Sequence, residues 1–368
     1  MVGEAKTRYA RSATRSRVVP VAVIAGLLAA LLTSTPAQAA PACSTSSGVV
    51  SATLGAPGDA ALYAPGGKIM LYDFDASANV DCGATTTSAD RVIVTGSGQA
   101  DYFQLDFSQD TFEPGLTAEG AGSSEIEVSV ALGGGTDIFV MAGGIGDETF
   151  TATPGGFRWN GDADTDVTVA GAEVLIADGD AGDDTIDLTA TAFATITLNG
   201  GAGADTLIGG VAADNIDGGP GVDHLVGNAG KDNLRGGPDH DVLHGGRGND
   251  EYITAWNGQT SGLPVAGLSM DLRHAAIAND GWNASDTVRS IEAVQGTRFG
   301  DRITGTGRAE WFEGAGGNDT LRGQGGNDVL LGDEGRDALA GGDGVDFCDG
   351  GAGANDTASA CEQVAGIP

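Results

Sequence analysis

Aromatic side chains and positive charges are both scarce in this chain. Phe, Trp and Tyr make up 5% of the residues, and 18 Lys and Arg face 51 Asp and Glu, for a net charge of −33. So few aromatics argue against a large conventional core, and so acidic a chain repels the phosphates of nucleic acids and anionic membranes. The composition therefore argues against those partners and in favour of cations.

Long hydrophobic runs are also rare, and the clearest one lies near the start of the chain. Residues 18–32 are apolar, follow five basic residues and precede Ala37-Gln38-Ala39, a small-residue cleavage pattern. Fifteen apolar residues are short for a membrane span, which needs about 20, and this order of segments is that of a signal peptide. We predict that residues 1–39 are cleaved and that the mature protein is secreted without membrane insertion; an uncleaved anchor is the alternative.

Cysteine occurs four times, with Cys43 and Cys82 near one end of the mature chain and Cys348 and Cys361 near the other. No C-x-x-C pair is present, so a metal site of that kind is not indicated. In an exported protein an even number of cysteines favours disulfides. Of the three possible connectivities we favour the local one, which closes the shortest loops.

Glycine is present in excess, at 63 of 368 residues against a typical share of about 7%. From Gly200 to Ile253 the chain divides into six consecutive nonapeptides, each beginning with Gly. The eighth position is always a large apolar or aromatic residue, such as Leu207 or Tyr252. The sixth position is always Asp: Asp205, Asp214, Asp223, Asp232, Asp241 and Asp250.

A second block of seven nonapeptides runs from Gly296 to Ala358, and its first two units are the least regular. An isolated unit at 179–187 carries Asp184 at the same place. The sixth positions of the second block are Asp301, Glu310, Asp319, Asp328, Asp337, Asp346 and Asn355.

The period of nine predicts an all-β fold. Six Gly-rich residues can form a tight turn, and three can form a short strand whose eighth position points inward. Two units then make an 18-residue coil, and stacked coils form a parallel β-roll with Asp carboxylates in columns. Carboxylates about 4.8 Å apart repel unless a cation lies between them, and oxygen ligands favour calcium over magnesium.

These units resemble the GGxGxDxUx nonapeptides of the RTX, or haemolysin-type calcium-binding, repeat family. The resemblance implies a β-roll in which each calcium lies between a turn and the turn two units later. Asp205, Asp223 and Asp241 would form one column, and Asp214, Asp232 and Asp250 the other. In the second block the implied columns are Asp301, Asp319 and Asp337, and Glu310, Asp328 and Asp346. Departures from the motif are Ala212 and Asp239 in place of Gly, the longer acid Glu310, and the uncharged Asn355.

The segments outside the blocks are less regular but also favour strands. Decayed copies of the nonapeptide surround Asp101 and Asp137, which predicts a degenerate β-solenoid in the N-terminal region. The predicted order after the signal peptide is a β-rich region at 40–178, the first calcium-binding block at 179–253, a β connector at 254–295, the second block at 296–358, and a C-terminal cap at 359–368.

Two local patterns suggest other metal sites. His240 and His244 are spaced like the zinc-protease signature HExxH, which requires a helix. The repeat frame instead places His240 in a turn and His244 in a strand, so we reject a zinc site. Residues 160–173 mimic an EF-hand loop, but Val167 stands where Gly is needed and no helices flank it, which favours an ordinary acidic turn.

The sequence therefore predicts a secreted calcium-binding repeat protein whose β-roll folds on binding calcium in the extracellular space. No catalytic residues are predicted, and the sequence favours a protein that is not an enzyme. Two alternatives stay open. One is a solenoid-type enzyme acting on polysaccharides, and the other is an adhesin or matrix protein that contacts cell-surface glycans through the same repeats.

Overall fold

The computed structural model describes residues 41–367 apart from 56–58, 66–67, 75–76, 87, 108–125, 160–164, 192 and 256–262. The predicted signal peptide and the start of the EF-hand-like stretch therefore lie outside the described residues. The secondary structure is almost entirely β, with a short 3-10 helix at Leu272–His274. Within the described part, no helix has the length and hydropathy that crossing a membrane requires. The predicted all-β fold is confirmed.

The chain divides into two compact units, one ending at Asn199 and the other beginning at Gly200. The N-terminal unit contains two sheets, in which most neighbouring strands are parallel and hairpins add antiparallel strands. In spatial order, its first sheet contains β1 (Ala42–Ser46), β2 (Val49–Thr53), β6 (Arg91–Thr95), β8 (Glu127–Ala131), β12 (Val167–Ala170), β11 (Gly156–Arg158), β10 (Thr149–Thr153) and β14 (Thr185–Asp187). Its second sheet contains β5 (Ala78–Thr85), β4 (Lys68–Asp73), β3 (Asp59–Tyr63), β7 (Tyr102–Asp106), β9 (Ile138–Ala142), β13 (Val174–Asp178) and β15 (Thr195–Asn199).

Aromatic rings fill the interior of the N-terminal unit. Phe103 lies 6.4 Å from Phe139 between ring centroids, Phe139 lies 6.0 Å from Phe157, and Phe157 lies 6.1 Å from Phe193. The successive rings are stacked at low interplanar angles, and large aromatics contribute more buried area per residue than any other side chain. This unit therefore has a core of its own, and the disulfide Cys43–Cys82 closes its first hairpins.

The C-terminal unit is a roll of two parallel sheets and a small third one. Its first sheet contains β16 (Thr206–Ile208), β18 (His224–Gly230), β20 (Val242–Gly248), β24 (Asp286–Arg289), β23 (Ala276–Asn279), β22 (Ser269–Asp271), β26 (Arg302–Thr304), β29 (Thr320–Gly325), β32 (Ala338–Asp343) and β35 (Thr357–Ser359). Its second sheet contains β17 (Asp214–Asp217), β19 (Asn233–Arg235), β21 (Glu251–Tyr252), β25 (Ala293–Gln295), β27 (Trp311–Glu313), β30 (Val329–Leu331), β33 (Phe347–Asp349) and β36 (Gln363–Ala365). The third contains β28 (Gly316–Gly317), β31 (Glu334–Gly335) and β34 (Ala352–Gly353).

The register of the roll follows the repeat. Leu207 pairs with Leu225, and Leu225 with Leu243, so that successive coils are offset by 18 residues. The eighth positions up to Cys348 form the core, since Leu234 and Tyr252 have no exposed surface and their counterparts are at most 2% exposed. The last unit differs, because its eighth residue, Thr357, is exposed. Each of the other nonapeptides contributes one buried core side chain, so the core is thin for the length of the roll.

The connector interrupts only one of the two sheets. In the first sheet, the antiparallel strands β22 and β23 lie between β24 and β26. In the second sheet, β25 pairs directly with β21 on one side and with β27 on the other. The first sheet thus gains two strands that the second lacks.

The C-terminal disulfide joins a core position to the tail. Cys348 takes the eighth position of its unit, is fully buried, and is bonded to Cys361. Gln363–Ala365 then pairs with Phe347–Asp349 and adds a last strand to the second sheet. Both disulfides of the local connectivity are thus present, and the tail is fixed to the last coil.

Candidate calcium sites

The turns of the C-terminal unit stack so that the sixth-position carboxylates stand in two columns. The backbone N–H of Asp205 donates to Oδ1 of Asp223 at 2.9 Å, and that of Asp223 donates to Oδ1 of Asp241 at 2.9 Å. The same bond, 18 residues apart, joins Asp214 to Asp232, Asp232 to Asp250, Asp301 to Asp319, Asp319 to Asp337, and Asp328 to Asp346. One oxygen of each accepting carboxylate is therefore committed to the backbone of the neighbouring turn.

The other carboxylate oxygen is buried and has no hydrogen-bond partner within the described part of the chain. These side chains are at most 2% exposed. A buried carboxylate oxygen without a donor is costly unless it carries a proton or contacts a cation. The oxygens concerned are Oδ2 of Asp223, Asp232, Asp241, Asp250, Asp319, Asp328, Asp337 and Asp346.

The glycine at the first position of each repeat makes room beside this oxygen. A methyl group on Gly314 would lie 2.3 Å from Oδ2 of Asp319 and 2.9 Å from the carbonyl oxygen of Gly332. At Gly218 the corresponding distances are 2.3 Å to Asp223 and 2.7 Å to the carbonyl oxygen of Gly236. Carboxylate and carbonyl oxygens thus face the same small space, which no larger residue can share.

Replacing Gly314 by Ala is therefore expected to weaken calcium binding and to lower the free energy of unfolding of the calcium-loaded protein by about 1–3 kcal/mol, the usual cost of overpacking. Gly316→Ala is the matched control, because its new methyl group would meet nothing closer than 3.8 Å. Denaturant unfolding in calcium buffer would measure both variants. Equal destabilisation of the two would contradict this account of the first-position glycine.

Burial raises the pKa of the column carboxyl groups, and neighbouring acids in the column raise it further. The pKa of Asp241 rises to about 9 and that of Asp319 to about 8. The pKa of Asp223 and of Asp232 rises to about 7. At neutral pH these groups therefore either retain protons or need a cation nearby.

The oxygen set fits a hard cation, although side chains alone do not enclose one. Across the described residues, no three His, Cys, Asp or Glu side chains converge as a metal-binding group. A cation beside Oδ2 would therefore also need backbone carbonyl oxygens, which the turn supplies. Mixed carboxylate and carbonyl coordination with flexible geometry is what calcium accepts.

Comparison with known families agrees with this geometry. The family of the RTX calcium-binding nonapeptide repeat matches in four copies, at residues 197–225, 217–252, 304–339 and 326–356. The chain carries RTX calcium-binding repeats. They lie in the C-terminal half, over the columns described above. No curated protein matches the chain.

The connector supplies two column residues that lie outside the RTX match. The N–H of Asp241 donates to Oδ1 of Asp286 at 3.0 Å, and the N–H of Asp250 donates to Oε2 of Glu292 at 3.1 Å. Oδ2 of Asp286 is buried without a partner among the described residues, as in the RTX turns. The sequence contained a signal for Asp286. Asp-Thr-Val-Arg at 286–289 matches the last four positions of the nonapeptide, which begin with Asp and have an apolar residue third.

At the end of the RTX array, the column continues through Asp356 and not through the sixth-position residue Asn355. The N–H of Asp337 donates at 2.9 Å to Oδ1 of Asp356, which is 19 residues away, and Thr357 pairs with Ala338. One extra residue in the last turn moves Asp356 into the place of the uncharged Asn355. The other column ends at Glu362, whose Oε2 accepts the N–H of Asp346 at 2.8 Å.

Two acids at the start of the second RTX block differ from the rest. Both oxygens of Asp301 are engaged, since Oδ1 accepts from the N–H of Leu268 at 2.6 Å and Oδ2 from the N–H of Thr297 at 2.6 Å. Oε1 of Glu310 bonds to the N–H and hydroxyl of Thr306 in its own turn. Asp301 thus stands in the column, but its carboxylate is satisfied by the protein.

The N-terminal unit contains sparser columns with a longer period. Asp101 donates its N–H to Asp137 at 2.8 Å, and Asp137 donates its N–H to Glu173 at 2.8 Å, with 36 residues between partners. In a second pair, Oδ1 of Asp184 accepts the N–H of Glu148 at 2.7 Å. The predicted site residue Asp184 therefore lies in this unit, apart from the tandem RTX turns.

The two histidines of the zinc-like pattern lie in different settings. Nδ1 of His240 contacts the carbonyl oxygen of Ser285 at 2.9 Å, in an exposed turn. His244 is exposed on the strand Val242–Gly248. Asp241 between them belongs to a column, so the three residues serve no common site.

Proposed function

We propose that this is a secreted protein whose C-terminal roll folds when it binds calcium ions outside the cell. One observation carries the proposal. In turn after turn, a buried carboxylate oxygen has no hydrogen-bond partner among the described residues and lies beside the space left by the first-position glycine. In the metal-free chain these acids oppose folding, because each must be desolvated next to another acid. Calcium would supply the missing positive charge, with Asp223, Asp241 and their counterparts holding it.

The compartment follows from the same chemistry and from the cysteines. Both disulfides favour an oxidising environment, where such bonds persist. Calcium is scarce inside cells, so the roll would stay unfolded until it has been exported. Folding would then be coupled to arrival outside the cell, since metal-binding free energy becomes folding free energy when the unfolded chain lacks the site.

A calcium titration of metal-free protein, followed by calorimetry and circular dichroism, tests the proposal. Wild type is expected to bind several ions and to gain β signal together with binding. Asp223→Asn should bind fewer ions, or bind them roughly 10- to 100-fold more weakly, the range seen when residues supporting a metal are replaced.

Asp239→Asn is the matched control for that substitution. It removes the same charge from an exposed turn residue, and its φ of 88° is one that Asn tolerates. This variant should lose far less calcium affinity than Asp223→Asn, because its charge acts on Asp223 only from a distance. Calcium uptake without a change in β signal, or identical titrations for Asp223→Asn and wild type, would refute the proposal.

A second candidate function is an adhesin or matrix protein that uses the same roll to contact glycans. It is favoured by a concave surface beside the connector strands that carries three arginines. The two acids at this surface, Glu292 and Glu310, are held by backbone N–H groups of their own or neighbouring turns. Three exposed arginines beside one buried and one partly buried acid suit binding of an anionic group better than acid–base catalysis on a polysaccharide.

A further inference from the structure

A cleft opens in the C-terminal unit where the connector adds its two strands to the first sheet. It encloses about 510 Å³ beside the 3-10 helix Leu272–His274. Its apolar lining includes Leu272, Val288 and Ile291. The inserted strands separate β24 from β26 in the first sheet, whereas the second sheet continues without interruption. This difference between the two sheets accounts for the cleft.

Three arginines line this cleft: Arg273, Arg289 and Arg308. All three are exposed, and they are conspicuous in a chain with 18 Lys and Arg against 51 acids. Arg273 is held by Asp271, with 2.7 Å between Nη2 and Oδ2. Arg289 forms no ion pair within the described part of the chain, so its guanidinium has its full hydrogen-bonding capacity available.

Both acids that line the cleft bond to the backbone of a turn, and Glu292 also pairs with Arg308. Oε2 of Glu292 accepts the N–H of Asp250 at 3.1 Å, and its Oε1 lies 3.4 Å from Nη1 of Arg308. Glu310 is 4% exposed and bonds to Thr306. The exposed wall of the cleft is therefore cationic, although the protein as a whole is strongly acidic.

The first sheet carries two further exposed arginines. Arg302 pairs across strands with Ser269 and Thr320, and Arg322 pairs with Thr304.

We propose that this cleft binds a carboxylate group of an acidic oligosaccharide, with the guanidinium of Arg289 as the main contact and those of Arg273 and Arg308 beside it. A guanidinium presents paired N–H donors that match the two oxygens of a carboxylate. The partly exposed side chain of Leu272 at the cleft suits the C–H face of a sugar ring. This assignment goes beyond calcium binding and needs only a folded roll.

A thin glycan chain fits these charges better than a membrane does. Screening in physiological salt reduces interactions beyond about 8 Å, so a narrow chain on the arginine surface is shielded from most of the acids. A flat anionic membrane would also face the acidic turns and be repelled by them. The charge pattern therefore selects a narrow anionic polymer.

Calorimetry in calcium buffer tests the proposal, with hexagalacturonate as the carboxylated probe and maltohexaose as the neutral probe of equal length. A blank titration of hexagalacturonate into the same buffer removes the heat of its own calcium binding. Wild type should bind the acidic hexamer and not the neutral one. Arg289→Gln should weaken binding about tenfold, the effect of losing one charge-assisted contact of about 1.4 kcal/mol.

Arg336→Gln is the matched control, because it removes the same charge from an exposed turn outside the cleft. It should change affinity less than about twofold, since surface charges outside a site act weakly. Three results would overturn the assignment: no binding of hexagalacturonate to wild type, equal losses in the two variants, or tighter binding of a sulfated hexamer. Circular dichroism and calcium stoichiometry of the same samples separate these results from a failure of calcium-coupled folding.

Discussion

Removal of calcium at pH 8 is expected to unfold the C-terminal unit and to leave the N-terminal unit folded. The roll has one buried core side chain in each nonapeptide but the last, and at least eight buried column oxygens without partners among its described residues. Without a cation, the desolvated charges of the columns oppose the small gain from this thin core.

The N-terminal unit is expected to depend less on calcium, because its core is built differently. Phe103, Phe139 and Phe157 are fully buried or nearly so and stack on one another. Its columns have a period of 36 residues rather than 18, so fewer acids are brought together. Cys43–Cys82 further restricts its unfolded state. Hydrophobic burial should therefore maintain this unit when calcium is absent.

Limited proteolysis with peptide mapping would measure the difference. After calcium is removed, cleavage should appear throughout residues 200–367 and remain slow within the strands before Asn199. Returning calcium should restore protection, whereas magnesium at the same concentration should not, because it requires a tighter octahedral geometry. Uniform protection of both units without calcium would show that the columns do not control folding.

The second large effect concerns pH. In the metal-free protein, protonation of the column carboxyl groups is expected to replace calcium. The C-terminal unit should then be folded near pH 5 and unfolded near pH 9. Burial raises the pKa of Asp241 from 3.8 to about 9, of Asp319 to about 8, and of Asp223 and Asp286 to about 7. Between the ordinary and the raised pKa, the folded state binds more protons than the unfolded state. These groups therefore stabilise the metal-free fold most at pH values below about 4 to 5. Their contribution is lost as the pH rises from there to about 9.

Calcium reverses the dependence, because the ion competes with the protons for the same oxygens. Its apparent affinity should rise with pH over this window, with release of protons on binding. Hydrogen exchange of C-terminal peptides, in chelator-treated buffers from pH 4 to 9 with and without calcium, would follow both effects once intrinsic exchange rates are corrected. Metal-free protection that increases with pH would contradict the raised pKa values.

Much of the candidate site could be predicted from the sequence, because the repeat makes contacts local and regular. The 18-residue offset that follows from two nonapeptides is the offset observed between Asp205 and Asp223 and between Asp328 and Asp346. The inward eighth positions follow from the same frame, whereas the local disulfides follow from the cysteine spacing, which favours the shortest loops. In such an array each coil contacts mainly its neighbours, so sequence spacing fixes spatial neighbours.

Where the spacing breaks, only the tertiary structure identified the neighbours. Asp241 reaches Asp286 over 45 residues and Asp337 reaches Asp356 over 19, because a hairpin or an extra turn residue intervenes. Asp301 stands in register, yet Leu268 and Thr297 satisfy its carboxylate. The sequence by itself therefore determined the repeat, its core and the columns of acids that predict a hard cation. The connector strands pair with strands that are distant in the sequence, and this pairing depends on strand order rather than on a period. It decided where the columns continue and where the arginine cleft opens.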